Sequence, residues 1–368
     1  MSTLPPELDD LDHLRDDKHA LLSCALVNRS WLQSSRHHLF EKVTLVDNNS
    51  ETFLELAALP LATFLSCIRS LTSRHSKFFT DLLPRLPILP SLKSLHLHYI
   101  DGNGVSEAAL TRLTVVFPHV TELDVSNTIG FCRLSNLIIV IACFLQLRRL
   151  SINASFVHED AATILHYPAA PPALELIRMH SGPSSDDPFR RIAVWVGVAQ
   201  KPCAIRSLEM GILKRQSLPS VGNLVRTLGQ ELHALSLNLI YHVTAADIET
   251  HIDLSQNTNL QDLTVHIGLR RYHSPSAHPH APWALLTAPR FSMIKSLTIV
   301  VRVNLIHMLD TFDWERLNTM LGSSPHFSSL RHLRFLVHCP SDDVAGAILA
   351  RVPVWEEKGI VQVQVMRP

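Results

Sequence analysis

One six-residue pattern, apolar-x-x-Leu-x-apolar, recurs along most of the chain. It stands at Leu92-Leu95-Leu97, Val120-Leu123-Val125, Leu147-Leu150-Ile152 and Leu174-Ile177-Met179. It returns at Ile205-Leu208-Met210, Leu232-Leu235-Leu237, Leu260-Leu263-Val265, Ile294-Leu297-Ile299 and Leu330-Leu333-Phe335. A weaker copy, Ile68-Arg69-Ser70-Leu71, precedes them. A chain rich in aliphatic residues makes such hexamers by chance, so the pattern alone decides little. Three regularities decide it. The central position is Leu in eight of the nine strong copies. Start-to-start spacings are 28, 27, 27, 31, 27 and 28 residues, then 34 and 36. The second position is basic at Arg69, Lys93, Arg148, Arg206, Lys295 and Arg331, and Ser70, Ser94, Ser207 and Ser296 follow four of these.

Alternating apolar positions over so short a run predict a strand, and about twenty residues then carry the chain to the next one. Helical patterns fill these returns at 106–117, 134–145, 188–200, 219–230, 246–254 and 312–321. Ser106-Glu107 and Asp186-Asp187-Pro188 read as helix starts, with cap residues and a first-turn proline. The run Ile360-Val361-Gln362-Val363-Gln364-Val365 alternates cleanly and predicts a closing strand.

A strand–helix unit of about 27 residues, stacked through parallel strands, is the leucine-rich-repeat solenoid. The expected fold class is therefore α/β: an irregular leucine-rich-repeat solenoid over 42–368, with parallel strands on the concave face, helices on the convex face and a C-terminal cap. It is irregular because the turn after each strand lacks the repeat's usual Asn or Cys. Those positions hold Ile100, Thr128, Ser155, Leu213, Ile240, Gly268 and Arg302. The longer late spacing coincides with a polar, His- and Pro-rich stretch, 270–282, which predicts an exposed loop.

Residues 1–41 do not follow the repeat. Leu4-Pro5-Pro6-Glu7-Leu8 predicts a helix start, and Asp16-Asp17 caps a second helix carrying Leu21, Leu22, Ala25, Leu26 and Leu32. With Ala20-Leu21-Leu22-Ser23-Cys24-Ala25-Leu26-Val27-Asn28-Arg29-Ser30-Trp31, this segment resembles an F-box. The continuation Trp31-Leu32-Gln33-Ser34-Ser35-Arg36-His37-His38-Leu39-Phe40 is similar to F-box proteins of mushroom-forming fungi. The resemblance implies a short all-α F-box-like segment that docks on a Skp-type linker protein, and through it a cullin, in a ubiquitin ligase. The solenoid would then present a protein substrate. Docking residues implied by the resemblance are Leu4, Pro5, Leu8, Leu21, Leu22, Cys24, Val27 and Trp31. Between Leu8 and Asp16 the chain is about two residues shorter than the family pattern, which rotates flanking helical positions by roughly 200°. The alternative is therefore a non-ligase interaction scaffold, in which a degenerate F-box serves only as the N-terminal cap that a solenoid core needs.

Composition narrows the remaining classes. Thirty-three basic residues balance thirty-three acidic ones, without the basic excess of a phosphate-neutralising nucleic-acid binder. No nucleic acid and no membrane is expected as a partner: the longest apolar stretch, 134–145, is too short to span a bilayer. The opening residues carry no secretory pattern, so the expected compartment is cytoplasmic or nuclear. Cys24, Cys67, Cys132, Cys143, Cys203 and Cys339 form no C-x-x-C pair and read as small hydrophobes.

Candidate chemistry is thin. His273, His278 and His280 share the 270–282 loop with no acid or cysteine, which argues against zinc. His96 and His98, with Asp124 one repeat on, have ligand-like spacing but read more simply as exposed sheet face. Gly102-Asn103-Gly104 lacks the P-loop lysine, and no G-x-S-x-G elbow occurs. The chain reads as a non-enzyme, with no metal and no cofactor. Its partner surface is expected at polar strand positions, which alternate with the core leucines: His96, His98, Glu122, Asp124, Arg149, Asn153, Arg178, His180, Glu209, Asn238, Asp262, His266, His332 and Arg334.

Overall fold

The computed structural model describes residues 13–27, 29–60, 62–126, 134–154, 168–181, 188–198, 204–239, 243–268, 281–287, 294–303, 305–341 and 343–366. They belong to two compact units, one of 1–173 with 182–184 and one of 174–181 with 185–368.

The first unit opens with two helices, α1 (Lys18–Val27) and α2 (Arg29–Glu41), after which β1 (Lys42–Leu45) begins directly. The boundary drawn from the sequence at 41/42 falls at this junction, inside the unit. Then come α3 (Ser50–Ala57), β2 (Ser70–Ser73), β3 (Ser94–His98), α4 (Glu107–Val116), β4 (Glu122–Ser126), α5 (Leu134–Ala142) and β5 (Arg149–Ala154). The five strands pair in chain order, all parallel. Their register is one-to-one, so the central residues of successive hexamers stack: Leu71, Leu95, Leu123 and Leu150 in one row, Leu97, Val125 and Ile152 in the next. None of the seven is more than 1% exposed. Each such burial is worth about 1.5–3 kcal/mol relative to exposure. Between β2 and β3 a π turn (Phe78–Leu82) and a 3-10 turn (Leu83–Arg85) replace a helix.

The second unit repeats the scheme with β6 (Leu176–Ser181), α6 (Pro188–Val198), β7 (Ser207–Ile212), α7 (Leu218–Leu228), β8 (Ala234–Asn238), α8 (Ala245–His251) and β9 (Asp262–Gly268). It continues through α9 (Ala281–Thr287), β10 (Ser296–Arg302), α10 (Trp314–Ser323), β11 (His332–His338), α11 (Val344–Leu349), α12 (Pro353–Glu357) and β12 (Val361–Met366). Seven parallel strands again pair in chain order. One register shift interrupts them, between Met210 and Ile212. A β-carbon on Gly211 would lie 2.9 Å from the Cα of His180, so this irregularity needs glycine.

The recurring second position of the hexamer has a backbone explanation. Its carbonyl accepts the N–H groups of two consecutive residues of the next coil. Arg69 O accepts from Lys93 (2.8 Å) and Ser94 (3.0 Å), and Lys93 O from Thr121 (2.9 Å) and Glu122 (3.0 Å). In the second unit Arg206, His233, Gln261 and Lys295 do the same. The backbone joins the coils, and the long basic side chains stay outside.

Both units are thus solenoid-like α/β repeats, one strand per coil. The helices predicted between the strands are present, with Ser106 capping α4 by accepting from the Ala109 N–H at 3.2 Å, while the starts predicted at Leu4–Leu8 and Asp186-Asp187 lie outside the described residues. The short elements β1, α3, α9, α11 and α12 are additions to the sequence reading. The last two residues of the loop predicted at 270–282 belong instead to α9, which Ala281 begins, and Pro282 is buried. Residues 269–280, with His273, His278 and His280, lie outside the described set. No described helix is long and apolar enough to cross a membrane. Cys24, Cys67, Cys143 and Cys339 are free thiols.

Candidate functional site

The N-terminal helices carry the first candidate surface. Asp17 starts α1 by accepting from the Ala20 N–H at 3.0 Å, as its position predicts. The helix then divides its apolar residues between two directions. Leu21 is fully buried, which removes it from the docking set inferred from the sequence. Leu22 is 52% exposed, Leu26 89% and Val27 76%. Leu22 and Leu26 are four residues apart, one above the other on the same helix face. Cys24 and Trp31 are half-buried, and Leu4, Pro5 and Leu8 lie outside the described residues. The pair is tied to the first coils through α2. The Phe40 ring lies 4.7 Å from Phe64, which lies 6.0 Å from Phe53, and Arg15 pairs with Glu41.

The polar strand face of the first unit holds the next group. The register places Asp124 beside His96 and Ser126 beside His98. His96 Nδ1 is 3.5 Å from Asp124 Oδ2. His98 Nδ1 is 2.6 Å from the Ser126 hydroxyl. The two imidazoles stack at 6.4 Å between centroids and 27° between planes. One ligand atom from each of His96, His98 and Asp124 lies within 4.8 Å of the others. Burial lowers the pKa of His98, helped by His96 and Arg74 and opposed by Asp124. Burial opposes ionisation of Asp124, but hydrogen bonding to His96, the charges of both histidines and the Ser151 hydroxyl outweigh it, holding its carboxyl below the usual range. Farther along, Glu122 pairs with Arg149 across β4 and β5, and Asn153 is exposed.

In the second unit Arg178 holds Glu209 with two bonds, Nε to Oε2 at 2.5 Å and Nη2 to Oε1 at 3.0 Å. His180, Asp262, His332 and Arg334 are exposed. Asn238 is not: it is 6% exposed, and its Oδ1 has no hydrogen-bond partner. The expected outward placement fails because alternation stops at the end of β8, where Leu237 and Asn238 are both buried. Its register neighbour His266 is half-buried, with Nε2 3.3 Å from the Ser236 hydroxyl. Burial, with the nearby charges of Arg302, His180 and His338, pushes its pKa down to about 4 against the pull of Glu209. Burial and Arg302 also lower His338.

No protein-family model and no curated protein matches the sequence. Among solved structures, the chain is similar to a Bacteroides fragilis protein from the Northeast Structural Genomics Consortium. The identity is 12% and the TM-score 0.30, covering 88% of this chain and 73% of that one. A likeness of that size establishes neither a shared fold nor a shared function.

The candidate features are therefore an apolar face on α1 and two polar strand faces whose charges are largely paired across strands. Such exposed pairs contribute about 0–1 kcal/mol each and serve to pattern the surface. Two contributors were outside the expected site residues. Leu26 was legible four residues after Leu22, whereas Ser126 gains its role only from the strand register.

Proposed function

We propose that the chain is the substrate-recognition adaptor of a cullin–RING ubiquitin ligase, built from an F-box-like helix pair and a leucine-rich-repeat solenoid. The helix pair docks on a Skp-type linker protein. The polar strand positions contact a protein substrate. Recognition without catalysis is the whole of its task, carried out in the cytoplasm or nucleus.

The observation that carries this reading is the exposure of Leu22, Leu26 and Val27 on α1, beside the fully buried Leu21. Exposing three large apolar side chains on one short helix has no stabilising purpose in the isolated chain. An apolar helix face laid into a partner's groove is a recurrent recognition mode. Leu22 and Val27 are also positions that the F-box resemblance assigns to the linker. The mixed, paired charges of the strand faces suit a protein substrate better than a polyanion.

A cap role for the same helices has its own support in the contact of Phe40 with Phe64. The two roles use different surfaces: α2 packs inward while α1 turns its apolar face out. A scaffold reading without a ligase keeps the first and discards the second.

The test is binding between the purified chain and a fungal Skp-type linker protein, with Leu22→Glu as the folded control. Micromolar or tighter binding that Leu22→Glu abolishes is the expected result. No binding by the intact, folded chain would overturn the adaptor reading and leave the scaffold.

A further inference from the structure

The linker-docking face makes no use of the cluster formed by His96, His98 and Asp124. The two histidines stand two residues apart on β3 and so leave the same face of the sheet. Strand register brings Asp124 alongside His96, with 3.5 Å between Oδ2 and Nδ1. Among the described residues, no other group of three or more His, Cys, Asp or Glu converges in this way. We propose that His96, His98 and Asp124 bind a divalent transition-metal ion of the zinc class, leaving an open coordination position toward solvent.

The donor set selects the ion. Two imidazoles and a carboxylate suit zinc and its first-row neighbours, whereas calcium and magnesium favour oxygen-only shells. Metal–ligand bonds of about 2.0–2.2 Å place tetrahedral ligand atoms about 3.3–3.6 Å apart. The His96–Asp124 separation already falls in that range. The other separations, all within 4.8 Å, close by rotation of side chains that are about one-third exposed: 32% for His96 and 30% for Asp124. The same exposure gives the ion its path in.

The surroundings supply what a metal site needs behind its ligands. The Ser126 hydroxyl, 2.6 Å from His98 Nδ1, fixes that ring and leaves Nε2 for the ion. The Ser126 carbonyl accepts the N–H of Tyr99 at 3.2 Å, so one residue holds both His98 and the strand end beyond it. Asp124 is bonded by the Ser151 hydroxyl from the next strand. Partners of this kind orient ligands, and their loss costs about 10–100-fold in metal affinity. Three protein ligands leave a fourth position to water, or to a carboxylate, imidazole or thiolate of an incoming protein.

The full-length chain, stripped with a chelator and dialysed, would be titrated with Co²⁺ as the spectroscopic probe and Zn²⁺ as the competitor. Expected is one Co²⁺ per chain with visible d–d bands, displaced by Zn²⁺. His98→Gln and Asp124→Asn should remove the bands, Ser126→Ala should weaken binding about 10–100-fold, and His119→Gln, an exposed histidine outside the cluster, should leave the bands unchanged. Thermal unfolding provides a second readout: Zn²⁺ should raise the Tm of the wild type and not that of His96→Gln. Absence of d–d bands in the wild type would overturn the proposal. So would bands and a Zn²⁺-dependent Tm that survive in the ligand variants, because the ion would then sit on other histidines. Linker binding through Leu22 is indifferent to every one of these outcomes.

Discussion

Gly222, on α7, lies so close to the carbonyl oxygen of His251, at the end of α8, that a β-carbon at position 222 would sit 1.8 Å from it. This contact sets how tightly two successive helices of the second unit pack. At an open helix position, Gly→Ala gains up to about 1 kcal/mol from propensity. Here the sign reverses, because the new methyl meets backbone that cannot rotate away. Gly222→Ala should lose about 2 kcal/mol or more, read as a lower urea midpoint with an unchanged m-value.

Asn257 links the same region to its helix ends. It is fully buried, and its Nδ2 donates to the carbonyls of Val225 at 2.9 Å and Gly229 at 2.8 Å. The two acceptors lie at and just beyond the C-terminal end of α7, and each also takes a backbone N–H: Val225 O that of Gly229, and Gly229 O that of Leu232 at 3.3 Å. Asn257→Ala removes both side-chain bonds and opens a small cavity, so a loss of about 2–3 kcal/mol is expected in chemical denaturation. Asn257→Asp should be at least as costly, since it replaces the donor with an acceptor facing two carbonyls.

His266 makes the second unit's stability depend on pH. In the unfolded chain it takes up a proton near pH 6.5, whereas in the folded protein its pKa is about 4. Between these values the unfolded state binds more protons, so stability falls as pH is lowered from about 6.5 toward 4 and levels off below that. At about 1.4 kcal/mol per pKa unit, the loss across the whole window is about 3–4 kcal/mol. Urea midpoints of the wild type and His266→Gln at pH 7, 5.5 and 4.5 would isolate this share from that of the other histidines. A wild-type curve parallel to the variant's would show that His266 is not the group responsible.

The rows of core leucines are legible in the sequence because alternation and a repeat near 27 residues express a single physical requirement: each coil buries the same positions against the next. The long helices are legible for a similar reason, and Ser106 and Asp17 announce two of their starts. What escapes is short or depends on register. Lys42–Leu45 is too brief to show alternation, yet it pairs with β2 as any other coil does. Asn238 reads as an outward position by counting, but the count fails where β8 ends and the chain turns inward. The role of Asn257 is invisible because the repeat's usual asparagine stands just after the strand, whereas this one serves a helix end. His96, His98 and Asp124 have legible spacing. Their convergence needs the one-to-one register, and Ser126 behind His98 has no signature at all.

Leu21 and Leu22 provide the sharpest contrast for the α1 surface. They are chain neighbours of the same type, one fully buried and the other 52% exposed. A carboxylate at the first position is driven into apolar packing, and Leu21→Glu should cost several kcal/mol. The same group at the second position points into solvent, and Leu22→Glu should stay within about 0.5 kcal/mol of the wild type. Urea denaturation of the two variants side by side measures the difference directly. If Leu22→Glu unfolds as readily as Leu21→Glu, α1 is packed on both sides and has no face left to offer a linker. If only Leu21→Glu falls, the exposed leucines contribute nothing to the fold, and the loss of linker binding in Leu22→Glu can then be assigned to the interface itself.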